Sequence, residues 1–142
     1  MKKSGILNPW IMQGLTSLGH LDAVVICDAG FPVPASANCI DISLIGGIPD
    51  FMQVLQAVLH EIIVEEYVIF DFMKQYNQDY YDQVSKILQK QKATECSMDD
   101  FRRKAENAKL FIRTGELLPA SNIILISASG VEQACRELDI SL

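Results

Sequence analysis

"LGHLDAVVICDAGFPVP", Leu18 to Pro34, is the stretch on which the fold turns. Ala23 to Cys27 is a continuous apolar run rich in β-branched residues, the pattern of a strand covered on both faces. Gly19-His20 stands before the run and Asp28-Ala29-Gly30 after it. Each bracket has a plain structural reading. A histidine near a helix C-terminus complements the helix dipole, and Asp before Ala-Gly suits a turn. Each also has a chemical one. In open α/β sheets ligands bind beyond the carboxyl ends of strands, where Asp28 falls and where a carboxylate can accept two hydroxyl hydrogen bonds. Asp22, two residues after His20, is placed to orient the imidazole. Eight residues of extended chain reach roughly 26 Å at about 3.3 Å each, so His20 and Asp28 do not share a pocket casually. Either the segment folds back at its ends, or one of the two acts with a neighbouring subunit.

Outward from this strand the chain alternates between helical and strand patterns. Asn8-Pro9 is a helix start, followed by Trp10, Ile11, Leu15 and Leu18 on one face, with Gly19 placed to end the helix. Ile40 to Leu44 predicts a short strand before Gly46-Gly47. Pro49-Asp50 opens a second helix with Phe51, Val54, Leu55, Val58 and Leu59 at helical spacing. Ile62 to Phe70 predicts a strand, Asn77 to Lys92 a polar helix and Asp99 to Ala108 a short helix. Leu110 to Ile112 and Asn122 to Ser127 predict two more strands. The alternation predicts a single α/β layered domain over residues 1–142, with a mixed, mainly parallel sheet flanked by helices. From Gly130, "GVEQACRELDISL" reads as an added amphipathic helix carrying Val131, Ala134, Cys135 and Leu138 on one side.

Composition narrows the function. A net charge of −6 with mixed signs lacks the basic stripe that a phosphate backbone requires, so nucleic acid is excluded as a partner. Val54 to Phe70 is interrupted by Gln56, His60, Glu61, Glu65 and Glu66, which predicts no membrane span. Asn8-Pro9, Gln13 and Gly14 break up any apolar leader after Lys2 and Lys3, and the chain reads as cytoplasmic. Cys27, Cys39, Cys96 and Cys135 have neither zinc nor disulfide spacing and read as thiols. With 49% hydrophobic and 21% charged residues the chain is apolar for a small monomer, which favours an oligomer. His60 reads as a helix cap, having no ligand partner at metal spacing. No nucleophile elbow, phosphate loop, dinucleotide fingerprint or metal cluster is present. Residue spacing alone yields an α/β domain with one candidate acid/base histidine.

Three separated segments, "LGHLDAVVICDAGFPVP", "GIPDFMQVL" and "IRTGELLPASNIIL", resemble the signatures of the D-ribose pyranase and L-fucose mutarotase family (RbsD/FucU), closer to its ribose branch. The resemblance runs to about Ala128. It implies ring-shaped homo-oligomers, usually decamers, with monosaccharide sites between adjacent subunits. It also implies a cofactor-free, metal-free interconversion of cyclic sugar forms by acid/base ring opening. By the same resemblance His20 matches the catalytic acid, Asp28 the sugar-binding carboxylate, and Asn122 an asparagine reaching in from the neighbouring subunit. Two positions depart: Met98 stands where the family has histidine or arginine, and Ala120, with Ser121 beside it, where it has tyrosine. Met98 transfers no proton, and Ala120 removes a large wall with its hydroxyl. These departures leave open a different sugar, weak ribose turnover, or a sugar-binding auxiliary without catalysis. A local register shift would instead let Asp99, Arg102 or Arg103 fill the place of Met98.

Overall fold

The computed structural model describes residues 1–130. The amphipathic reading of 130–142 therefore falls, but for Gly130, outside the described residues. Asn8 caps helix α1 (Pro9–Thr16), its Oδ1 accepting from the backbone N–H of Trp10 at 3.0 Å and of Ile11 at 3.1 Å. Ile11, Gly14 and Leu15 form the buried face of α1, and Trp10 is 65% exposed, a correction to the predicted stripe. One residue before Ile11 is about 100° away around a helix, which turns the indole outward. Gly14 allows close packing, since a Cβ there would lie 2.7 Å from a methyl of Leu110. The helix stops at Ser17, before Gly19, where the Ser17 hydroxyl donates back to the Gly14 carbonyl at 2.7 Å.

Strand β1 (Ala23–Cys27) lies inside the sheet, with Val24 to Cys27 inaccessible to solvent. The remaining strands are β2 (Cys39–Asp41), β3 (Val64–Phe70), β4 (Lys92–Cys96), β5 (Leu110–Arg113) and β6 (Ile123–Ser127). Their order is β2-β5-β1-β6-β3-β4. Three neighbouring pairs are parallel, and the two made by β6 are antiparallel, so the sheet is mixed and mainly parallel. The predicted strand Ile40–Leu44 is cut to β2 because residues beyond Asp41 leave the sheet. The predicted helix Asn77–Lys92 ends early, as α4 (Gln78–Ile87), and Lys92 opens β4. The sequence reading missed β4 because it is a polar edge strand. Its Lys92 and Thr94 donate to Glu66 on β3 at 3.0 and 2.9 Å.

Helix α2 (Phe51–Leu59) starts with a reciprocal cap between Asp50 and Gln53 and buries Phe51, Met52, Val54, Leu55 and Val58. A four-residue helix, α3 (Met73–Tyr76), precedes α4, and α5 (Met98–Ala105) follows the Ser97 cap. Side chains alternate across a strand. Leu110 thus faces α1, while Phe111 faces Phe31 and, through it, Phe101 of α5. Phe70 at the end of β3 closes this aromatic cluster, its ring centroid 4.4 Å from that of Phe101. Among the described residues no helix is long and apolar enough to cross a membrane.

Candidate functional site

Antiparallel pairing of β1 with β6 decides the site, because it sets Ile26 against Ile123. The residue leaving β1 and the residue entering β6 then meet. Asn122 Nδ2 donates to Asp28 Oδ2 at 2.6 Å, and the Asp28 backbone N–H donates to Asn122 Oδ1 at 3.0 Å. Gly30 N–H fixes the other carboxylate oxygen at 2.9 Å. Both carboxylate oxygens are thereby aimed, and each keeps acceptor capacity for a ligand hydroxyl. Asn122 is buried and Asp28 half-buried, so this pairing is partly shielded from water. The two groups belong to one subunit.

The pair opens into a cavity of about 220 Å³. Phe31, Phe70 and Phe72 give it an aromatic wall, with Phe70 and Phe72 stacked at a centroid distance of 5.0 Å. Met98 and Arg102 come from α5, and Pro119 and Ala120 from the loop before β6. Asp28, Met98, Ala120 and Asn122, all singled out in the sequence, line this one cavity. Ser121 is not among the lining residues. Its side chain is buried, and its hydroxyl accepts from Asn77 Nδ2 at 3.1 Å behind the wall. Ala120 holds φ +62°, a left-handed conformation unusual outside glycine, which turns the loop sharply between Pro119 and Asn122.

His20 lies at the opposite end of β1 and does not line the cavity. Its imidazole is half exposed, with Nε2 3.2 Å from Glu65 Oε2. The next residue, Leu21, also has a left-handed backbone at φ +67°. Asp22 does not orient the imidazole: its Oδ2 accepts from Gly19 N–H at 2.6 Å and from Lys109 Nζ at 2.8 Å. The Lys109 ammonium, with Gly19, holds the Asp22 carboxyl below its ordinary range. This aspartate thus ties the turn after α1 to Lys109. His60 is the C-cap of α2, as its place in the sequence suggested.

Three supporting residues were missed by the sequence reading. Glu116 is buried and accepts from Tyr80 Oη at 2.7 Å and from the backbone N–H groups of Leu117, Leu118 and Phe51 at 2.8, 2.9 and 3.3 Å. Burial pushes its carboxyl upward, and these four donors outweigh that, leaving it below the ordinary value. The same residue's carbonyl accepts from Ala29 N–H at 3.0 Å, tying the Asp28 turn to the loop that carries Ala120. Asn77 joins the start of α4 to this loop through Ser121 and the Pro119 carbonyl. The available signals were an asparagine just before a helix and a glutamate inside "IRTGE".

Residues 1–131 match the RbsD / FucU transport protein family. The chain is 41% identical over 127 residues to the D-ribose pyranase of Geobacillus thermodenitrificans, covering 89% of this chain and 96% of that protein. Among solved structures, Bacillus subtilis RbsD complexed with D-ribose has a TM-score of 0.87 and 37% identity, covering 90% of this chain and 98% of that one. The fucose mutarotase of Streptococcus pneumoniae, in complex with L-fucose, has a TM-score of 0.72 at 19% identity over 86% of this chain and 93% of its own. At that identity it speaks for the fold alone.

Proposed function

This chain belongs to the RbsD / FucU family, and we propose that it is a cofactor-free sugar pyranase or mutarotase, interconverting cyclic forms of a free monosaccharide. The observation that carries this reading is the Asp28–Asn122 pair set against a wall of aromatic rings in a cavity of about 220 Å³. A sugar offers hydroxyls to a carboxylate and an apolar ring face to aromatic side chains, and this cavity has both surfaces side by side. The reaction then needs proton transfers only. One group protonates the ring oxygen while another takes the proton of the anomeric hydroxyl. The ring opens to the aldehyde, the C1–C2 bond rotates, and reversal of the steps closes another ring form. A positioned acid or base contributes roughly 10²- to 10⁴-fold.

In this proposal Asp28 and Asn122 hold the sugar, Met98 and Ala120 shape its enclosure, and His20 is the acid, supplied by the next subunit of a ring-shaped homo-oligomer. The separation of His20 from Asp28 along β1 supports that division, as do the exposed Leu7, Trp10, Leu44, Ile45 and Leu117. Their exposures run from 62% to 76%, and side chains of this size call for a cover. A decamer, ten times 15.8 kDa, would weigh about 158 kDa. The thiols Cys27, Cys39 and Cys96 are free, which suits a reducing cytoplasm where the product meets a sugar kinase.

Saturation-transfer NMR on D-ribose, L-fucose and other aldoses tests the reading. The expected result is accelerated exchange between ring forms, abolished by His20→Ala while calorimetry still detects sugar binding. Sugar binding without any exchange by the wild-type oligomer would instead mark a non-catalytic carrier.

A further inference from the structure

We propose that Arg102 is the principal hydrogen-bond donor to the sugar in this cavity, a substrate-binding residue that fixes the ring's orientation; the inference rests on the sugar-site reading above. Among the described residues three polar side chains line the cavity: Asp28, Asn122 and Arg102. Asp28 is an acceptor. Asn122 has committed Oδ1 to the Asp28 N–H and one amide hydrogen to the Asp28 carboxylate, which leaves one hydrogen to offer. A monosaccharide brings a ring oxygen and several hydroxyl oxygens that each need a donor. The guanidinium supplies up to five N–H groups in a planar fork that spans neighbouring oxygens.

The helix delivers it there. Arg102 follows Met98 by four residues, so both stand on one side of α5, while Phe101 and Ala105 anchor that helix in the core. Arg102 also borders a neighbouring groove of about 260 Å³ with Pro34 and Glu106, an exposed position at the mouth. Among the described residues no carboxylate lies within salt-bridge distance of its guanidinium, whereas the adjacent Arg103 pairs with Asp100. A guanidinium without a carboxylate partner among the described residues thus borders a cavity whose other side-chain donor is the single remaining Asn122 amide hydrogen.

Arginine keeps its proton throughout the physiological range, so Arg102 orients the sugar and transfers no proton. It binds ground state and transition state alike, and its loss falls on KM rather than kcat. The test measures D-ribose ring exchange by saturation transfer over a range of sugar concentrations, on oligomers of verified mass. Arg102→Ala is expected to raise KM roughly ten- to a hundredfold, with kcat held within about threefold. Arg102→Lys should recover part of the loss, and Arg103→Ala should match the wild type. An unchanged KM in Arg102→Ala, or a fall in kcat alone, would overturn the assignment. If wild-type protein neither binds nor exchanges any aldose, the parent reading fails and this one with it, before any variant is measured.

Discussion

Replacing Glu116 with glutamine keeps the shape of a buried side chain and removes its charge. In the wild type, Oε1 accepts from Leu117 and Leu118 N–H, and Oε2 from Tyr80 Oη and Phe51 N–H. With the glutamine oxygen facing Leu117 and Leu118, its NH2 faces Tyr80, whose hydroxyl can turn to accept, and Phe51 N–H, which cannot. Losing charge assistance on three contacts and opposing two donors at the fourth is offset in part by the smaller desolvation of an amide. The net cost is about 2–3 kcal/mol. With a urea slope of about 2 kcal/mol/M the midpoint should fall by about 1–1.5 M at fixed protein concentration. The pH dependence identifies the cause. A carboxyl whose folded-state pKa lies below its ordinary 4.5 contributes stability that is complete above that value and is lost as pH falls through the folded one. The gap between wild type and Glu116→Gln should therefore be flat from pH 8 to 5 and close progressively below 4.5. A gap that persists unchanged at pH 3, or no gap at neutral pH, would refute this account of Glu116.

Three further substitutions probe the site and its frame. Asn122→Asp sets two carboxylates against each other and deletes the donor to Asp28, so D-ribose affinity by calorimetry should fall at least about tenfold at pH 7; unchanged affinity would remove Asn122 from the sugar site. Gly115→Ala would place a Cβ 2.6 Å from the Ile45 carbonyl oxygen and closer still to that of Ile48, both backbone atoms. It should cost about 2–4 kcal/mol in urea unfolding, and a cost near zero would mean that this loop moves freely. Leu117 lies against the Gly46 turn, and Ile45 is likewise exposed. Paired Ile45→Glu and Leu117→Glu changes should lower the assembly mass in light scattering, whereas an unaltered mass would show that this patch lies outside the interface.

The extent to which sequence foretold structure follows from what each element relies on. β1, α1 and α2 were legible because their signals are local: an apolar run in one case, and in the other two an Asn-Pro start or an Asp cap followed by periodic hydrophobics. β4 was not, since an edge strand held by Lys92 and Thr94 on Glu66 has no apolar pattern to read. Trp10 misled because a large apolar side chain on a short amphipathic helix reads as core until its angle is known. At the site, residue types pointed to Asp28 and Asn122, but their union depends on β6 running against β1, a pairing across 94 residues that no local spacing encodes. The Glu116, Tyr80 and Asn77 contacts are likewise long-range, and Ser121 was misplaced because adjacent residues in a sharp turn point to different sides.

The direction of β6 also explains why the cavity forms where it does. β1 and β3 both present their carboxyl ends to one edge of the sheet, with Asp28 following the first and Phe70 and Phe72 ending and following the second. In an all-parallel sheet the strand between them would point its own carboxyl end the same way. Here the intervening strand is antiparallel, so the chain entering it brings Pro119, Ala120 and Asn122 to that edge. Its far end, Ser127, accepts from Leu21 N–H at 2.9 Å beside His20. One strand thus frames the proposed sugar-binding groups at one end and the candidate acid at the other, about five residues or roughly 17 Å apart. No side chain bridges that distance within a subunit. If His20 is the acid, a second copy must bring it to the cavity, and an interface variant that separates the subunits should abolish exchange without disturbing the Asp28–Asn122 pair. Exchange by a verified monomer would refute the division of the site between subunits.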